Sequence, residues 1–255
     1  MQRLDLLLVK QQLATSRTQA QQFLSEGRVE LFKQGRWQGV SKPGLKLPDD
    51  SQLQVETREE DDYVSRGALK LKAVVEASGL ELEGWLALDI GQSTGGFTDY
   101  LLKAGVRQVV GLDVGQAQLD ARLAGDPRVT SLEKVNARYL EACLLQEADL
   151  PATYDLIVMD VSFISQTLIL PRLPALLNEQ GWIMTLVKPQ FEVGRENIGK
   201  GGLVRNPLLF AEVKEKISQL LDKLGLDIKH WLASPIKGGD GNQEFLLAAQ
   251  KRPGQ

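Results

Sequence analysis

One cysteine and one histidine occur in 255 residues. A lone thiol excludes an internal disulfide and a cysteine-rich zinc site, as in a protein of a reducing compartment. Cys143, in the apolar run "LEACLL", reads as a small buried side chain, and His230 falls in a strand pattern near the C-terminus. No metal site is apparent. Long apolar runs are missing as well: none approaches the roughly 18 residues that cross a bilayer, and "MQRLDLLLVK" sets Asp5 inside its only apolar patch, unlike a signal peptide. A cytoplasmic protein is expected. Neither G-x-G-x-x-G nor a G-x-x-x-x-G-K-[ST] loop is present, which disfavours a pyrophosphate ligand.

The net charge of -3 hides an asymmetry, since residues 1–46 hold 8 Lys+Arg against 3 Asp+Glu and the remainder holds 22 against 30. An anionic partner meets the basic front first, although a solvated face has the same composition. Within that front, "RLDLLLVKQQL" has helical apolar spacing, and Ser16 with Gln19 forms a capping box before a second helix that stops at Gly27. "RVELF", "KQGRW", "SKPGLKLPDD" and "SQLQVET" supply short strands and turns. The acidic 58–62 stretch reads as a linker between a small α+β unit, 1–57, and a larger one, 63–255.

From residue 63 onward a helical stretch, "YVSRGALKLKAVVEASGL", precedes alternating strand and helix patterns: "WLALDI", "GGFTDYLLKAG", "VVGLDV", "GQAQLDARLA", "YDLIVMDV", "ISQTLILPRLPALL", "GWIMTLVKP" and "PLLFAEVKEKISQLLDKLG". Such alternation predicts a parallel sheet covered by helices, the Rossmann-like α/β class. "LDIKHWLASPI" and "NQEFLLAAQKR" then predict a terminal antiparallel hairpin.

Ligands of open α/β sheets lie beyond the carboxyl ends of the strands. Asp89, Asp113, Asp160 and Lys188 stand at those ends, and the turn "DIGQSTGG" carries Gly91, Gly95 and Gly96. An acid ahead of a glycine turn repels phosphate but suits a cationic amino-acid moiety, and an acid ending the next strand accepts ribose hydroxyls. S-adenosylmethionine meets both conditions.

Lys70 in "SRGALKL", Asp160 in "VMDVSF", Lys188 in "LVKPQF" and Glu244 in "GNQEFLL" have distinctive frames. With "DIGQSTGGFTDYLL", "GLDVGQAQL", "GKGGLVRNP" and "SPIKGGDGNQEFLL", in this order, the chain resembles the TlyA family of ribosomal RNA 2'-O-methyltransferases. These are also named haemolysins, and their catalytic domain is similar to FtsJ methyltransferases. The resemblance implies an S4 RNA-binding domain at the front, with Arg3, Lys10, Arg17 and Arg28 as RNA contacts and Arg66 as another. It implies a catalytic set of Lys70, Asp160, Lys188 and Glu244. It also implies cofactor contacts from Asp89, Gly91, Ser93, Thr94, Gly95, Gly96, Phe97, Asp113, Asn136 and Asp160, and ribosomal RNA or ribosomal subunits as partner, with cytidine as the target. The departures are Gln92 for a small residue, Ala68 for a second glycine, "EKVNAR" for "ERTNAR" and Asn206 for an aspartate. Gln92, lying in the cofactor turn, is expected to crowd it.

A ribose 2'-hydroxyl is a very weak acid and needs a positioned base as it attacks a sulfonium methyl. Lys188, which acts as a base only when neutral, is expected to accept or steer that proton. Asp160 and Glu244 would orient the lysines and the hydroxyl, and Lys70 would stabilise alkoxide charge. Two alternatives remain. A base-methylating enzyme would carry a proline-rich turn where "DVSF" stands, and a membrane-lysing protein would need an amphipathic or spanning segment.

Overall fold

The computed structural model describes residues 1–141, 145–146 and 148–254, so Cys143 lies outside the described residues. Two compact units divide the chain, Met1–Asp62 and Tyr63–Gln255.

The first unit runs β1 (Gln2–Arg3), α1 (Leu4–Lys10), α2 (Arg17–Ser25), β2 (Val29–Lys33), β3 (Arg36–Gly39), β4 (Lys46–Leu47) and β5 (Leu53–Val55). Ser16 caps α2, its hydroxyl oxygen accepting the Gln19 N–H at 3.2 Å. The Gln19 carboxamide returns to the Thr15 N–H at 2.7 Å, so the expected capping box closes one residue earlier. Leu4, Leu8, Ala20, Phe23, Leu24 and Val29 form the core of this unit. Its sheet has the order β3-β2-β5, and β2 turns into β3 through Gln34 and Gly35, both at positive φ, as a two-residue hairpin requires. The stretch expected to be a linker is partly a 3-10 turn, Glu59–Asp62, and Asp61 pairs with Arg28. That pairing ties it to the first unit, where the sequence pattern showed only unpaired acids.

The second unit continues with α3 (Gly67–Ser78), β6 (Leu86–Ile90), α4 (Gly96–Lys103), β7 (Gln108–Asp113), α5 (Ala121–Ala124), β8 (Val129–Glu133), β9 (Tyr154–Met159), β10 (Leu177–Val187), α6 (Leu208–Lys223), β11 (Leu226–Ala233) and β12 (Phe245–Lys251). Seven strands form one sheet in the order β11-β12-β10-β9-β6-β7-β8. Neighbours from β10 to β8 are parallel, and β12 enters antiparallel between β10 and β11, so the terminal hairpin closes one edge. Alternate residues of β6 serve opposite faces. Leu86, Leu88 and Ile90 pack with Val213, Ile217 and Leu221 of α6, while Ala87 packs with Leu71 and Val74 of α3 and Leu101 of α4. Three layers result.

Two helical expectations fail. Residues 166–176 fold as three 3-10 turns, Gln166–Leu168, Leu170–Arg172 and Pro174–Leu176, because Pro171 and Pro174 lack the N–H an α-helix would use. "GQAQLDARLA" forms only the four-residue α5, capped by Asp120, whose carboxylate accepts the Arg122 N–H at 2.9 Å. Among the described residues no helix is long and apolar enough to cross a membrane.

Candidate active site

The sheet reverses its order between β6 and β9, and a crevice opens at their carboxyl ends. The Asp160 N–H donates to the Ile90 carbonyl at 3.0 Å and the Gly91 N–H to the Leu112 carbonyl at 2.8 Å, locking three strand ends together. Gly91 has φ 83°, and a Cβ there would stand 2.5 Å from the Asp160 carbonyl oxygen. Only glycine satisfies both conditions.

Two cavities meet at this point, of about 360 and about 380 Å3. Both are lined by Gly91, Ser93, Asp160 and Ser162. The first adds Arg66, Lys70, Thr94, Gly96, Phe97, Lys188 and Lys237. The second adds Asp113 and Asn136 with the apolar Leu112, Val114, Val135, Ala137, Ile164 and Ile169. The Asp113 carboxylate accepts the Ser93 N–H at 2.8 Å and the Gly115 N–H at 2.7 Å, one on each oxygen, which leaves each oxygen a lone pair for a ligand hydroxyl. Asn136 accepts the Arg138 N–H at 3.0 Å.

The four residues singled out as catalytic form two lysine–carboxylate pairs. Lys70 Nζ lies 2.6 Å from Glu244 Oε2, bridging α3 to the start of β12 across 174 residues of sequence. Lys188 Nζ lies 2.6 Å from Asp160 Oδ1; this is an ion pair without hydrogen-bond alignment, the ammonium donating to Ser162 Oγ at 2.8 Å. Lys70, Asp160 and Lys188 line the first cavity, and the buried Glu244 stands behind Lys70.

Two expected cofactor contacts lie outside both cavity walls. Asp89 is buried within β6, one residue before its end; its Oδ2 accepts the Thr98 hydroxyl at 2.7 Å and its Oδ1 has no hydrogen-bond partner among the described residues. Burial pushes its pKa up to about 7; the Thr98 hydrogen bond opposes the rise, and the charges of Asp160 and Asp113 add to it. Gly95, at φ 92°, faces Leu119 and Leu123. Asp89 and Gly95 shape the turn from behind.

Gln92 corrects another expectation. It is 4% exposed, and its carboxamide turns down into the sheet, accepting the Ser131 hydroxyl at 2.7 Å and donating to Thr98 Oγ at 3.0 Å. Room for it comes from Gly111, where any Cβ would collide with that carboxamide. The larger side chain is housed beneath the turn.

The front cations also differ from expectation. Arg28 is 2% exposed and pairs with Glu26 and Asp61, so it is a structural residue and not an RNA contact. Arg3 and Arg17 both bond the buried Asp5, which holds its carboxyl far below the usual range, the Arg3 hydrogen bond being the largest cause. Lys10 pairs with Asp49. Arg66, in the second unit, lines the first cavity.

Sequence reasoning missed Ser162, Phe163, Lys237 and Glu192. Phe163 sits in the "DVSF" turn at φ 64° and is 91% exposed at the rim of the second cavity, its ring 5.3 Å from that of Phe191. A strained, exposed aromatic signals function, and no local sequence pattern marks one. Glu192 is buried and accepts from Ser165 Oγ at 2.6 Å, from the Gln166 N–H at 2.7 Å and from Lys216 Nζ at 3.3 Å, anchoring the loop that carries Asp160 and Ser162.

Residues of both cavities fit S-adenosylmethionine. Asp113 would take ribose hydroxyls, the apolar lining with Asn136 would hold adenine, and the Cβ-free turn at Gly91 would admit the methionine part. Among the described residues no cluster could hold a metal ion.

The profile of the FtsJ-like methyltransferase family matches residues 63–251. The chain is 40% identical, over 96% of its length and 88% of the relative's, to the 16S/23S rRNA (cytidine-2'-O)-methyltransferase TlyA of Mycobacterium tuberculosis. A solved structure from Streptococcus thermophilus that carries a hemolysin name is 40% identical, with TM-score 0.74, covering 98% of this chain and 88% of the other. An S-adenosylmethionine dependent methyltransferase from Mesorhizobium loti, 15% identical with TM-score 0.51 over 70% of this chain and 96% of its own, shares the fold alone. This chain belongs to the TlyA family of FtsJ-like, S-adenosylmethionine-dependent methyltransferases.

Proposed function

We propose that this protein methylates a ribose 2'-hydroxyl of ribosomal RNA, on cytidine, with S-adenosylmethionine as donor. The supporting observation is the arrangement of Lys188 with Asp160 and of Lys70 with Glu244 at one cavity that shares a wall with a second, of a size and lining suited to the cofactor. The name of the M. tuberculosis relative supports cytidine and ribosomal RNA.

The cofactor, when bound, supplies an electrophilic methyl on a sulfonium. The remaining work is to orient the hydroxyl and remove its proton. Lys188, held by Asp160 and Ser162, steers the hydroxyl as the ammonium of the ion pair and takes its proton only after releasing one of its own to solvent. Lys70, braced by Glu244, stabilises negative charge on the ribose oxygen. Phe163 offers an apolar face on which an unstacked base can lie. Gly91, Ser93, Thr94, Gly96, Phe97, Asp113, Asn136 and Asp160 hold the cofactor directly, while Asp89 and Gly95 act through the shape of the turn. The first unit acts as an S4-like RNA-binding domain. The positive excess of its residues 1–46 suits phosphates, and Arg3, Lys10 and Arg17 are exposed enough to exchange their carboxylate partners for them.

Mapping of 2'-O-methyl groups in ribosomal RNA, with and without the protein, tests this reading. New 2'-O-methylcytidine is expected; methyl groups found only on bases would overturn it. Lys188→Ala should abolish transfer while S-adenosylmethionine affinity stays within about twofold, since its role belongs to the transition state. Near wild-type single-turnover rates for that variant would reject the assigned role.

A further inference from the structure

Four cations line the first cavity: Arg66, Lys70, Lys188 and Lys237. Two are neutralised, Lys70 by Glu244 and Lys188 by Asp160. Among the described residues neither Arg66 nor Lys237 has a carboxylate within ion-pair distance or a side-chain hydrogen bond. Cations gathered in a concave site without counter-charges repel one another, and a bound anion relieves that repulsion.

The loop carrying Lys237 is held in place. At its base the Ser234 N–H donates to the Glu244 carbonyl at 2.9 Å, and inside it the Gly238 N–H donates to the Asn242 carbonyl at 3.0 Å and the Gly241 N–H to the Gly238 carbonyl at 2.8 Å. Asn242 is 3% exposed, and its side chain accepts the Val204 N–H at 3.0 Å and donates to the Gly202 carbonyl at 2.9 Å, joining this loop to a second, glycine-rich one. A Cβ at Gly238 would stand 2.7 Å from Glu244 Oε1. The residue beside Lys237 is therefore small because the loop backbone presses against the carboxylate that braces Lys70. The anchored backbone fixes where Lys237, itself exposed, joins the cavity wall.

A ribose inside an RNA strand differs from a free nucleoside in having a phosphodiester on each side, one of them on the carbon next to the 2'-hydroxyl. From this, and resting on the proposed RNA substrate, we propose that Lys237 and Arg66 form a phosphate clamp for the two phosphodiesters flanking the target ribose, and that Asn242 is the positioning residue that holds Lys237 in the clamp. The clamp makes strand continuity, not base identity, the feature read at this cavity.

The test uses the full chain and ribosomal RNA transcribed in vitro, which carries no methyl groups. Lys237→Gln should raise the Kd for this RNA about tenfold at low salt and make the slope of log affinity against log salt shallower by about one. Arg66→Gln should behave alike, and Lys237→Arg should restore most of the affinity and slope. Asn242→Ala should weaken RNA binding as Lys237→Gln does, and the double variant should be no weaker than the worse single, because both remove one contact. Unchanged affinity and slope in Lys237→Gln and Arg66→Gln would overturn the clamp. So would full additivity of Asn242→Ala with Lys237→Gln, as far as Asn242 is concerned. Methyl transfer by the unmodified chain is scored on the same RNA: its absence would count against the proposed activity, whereas the salt slopes decide the clamp on their own.

Discussion

Gln92 sits in the turn that faces the cofactor cavity, yet its carboxamide links Ser131 of β8 to Thr98 of α4, and Thr98 in turn donates to Asp89. Its removal would leave the buried Thr98 hydroxyl and the half-buried Ser131 hydroxyl each short of a partner. Gln92→Ala is therefore expected to lower stability by about 1–3 kcal/mol, with no gain in cofactor affinity; a urea titration beside a calorimetric titration would show both. A gain in affinity at unchanged stability would restore the crowding idea. Asp89 allows a second prediction. With its folded-state pKa raised to about 7, its contribution to stability is fully present below the usual carboxylate pKa and is lost as pH rises through about 7. Asp89→Asn should flatten the dependence of stability on pH between about 4 and about 7. Equal slopes for the variant and the wild type would mean that Asp89 ionises in the ordinary range.

At the scale of elements, the loop after β9 depends on its support. Glu192, at the end of a 3-10 turn after β10, accepts from the two residues that follow Ile164 and from Lys216 of α6. Glu192→Ala would leave the buried Gln166 N–H without its acceptor and is expected to cost about 2–3 kcal/mol. It should also slow methyl transfer, because Asp160 and Ser162 sit on the supported loop. Glu192→Gln keeps an acceptor and should recover most of the stability; thermal melts that do not separate the two variants would contradict this. In the first unit, α2 shows how an element constrains a test. Arg17 follows its cap and bonds the buried Asp5, so Arg17→Glu would set two carboxylates together and disturb the fold. Arg17→Gln removes the charge without that repulsion and is the cleaner probe of RNA contact.

The whole chain places a positive excess in residues 1–46, 8 Lys+Arg against 3 Asp+Glu, ahead of an acidic remainder. Because each unit has its own core, a fragment of residues 63–255 is expected to bind S-adenosylmethionine as the full chain does. It should lose most RNA affinity, with a shallower salt dependence, since phosphate contacts release counterions. Calorimetry and a salt series of RNA binding check both halves; an unaltered salt slope would leave the basic front a solvated face. Lys33, Arg36, Lys42 and Lys46, which have no ion-pair partner among the described residues, are the cations of that unit most readily offered to phosphate, more so than the paired Arg3, Lys10 and Arg17 or the buried Arg28.

Much of this was legible from one dimension. Apolar runs of period 2 and 3.6 marked the strands, α3, α4 and α6, and the acids and lysines ending those runs marked the crevice, because a parallel sheet brings its carboxyl ends to one edge wherever the connections run. Local chemistry also marked the Ser16 cap and the Gln34–Gly35 turn. Short-range signals misled where prolines replaced a helix with 3-10 turns over 166–176, and where α5 shrank to one turn. What no local pattern could show was direction and partnership. That Gln92 points down onto Gly111, that Arg28 is spent on Asp61, that Lys70 meets Glu244 across 174 residues, and that Lys237 has no carboxylate partner among the described residues all depend on which distant segments become neighbours. A side chain's neighbours are set by the packing of the whole sheet, so they existed only once the chain had folded.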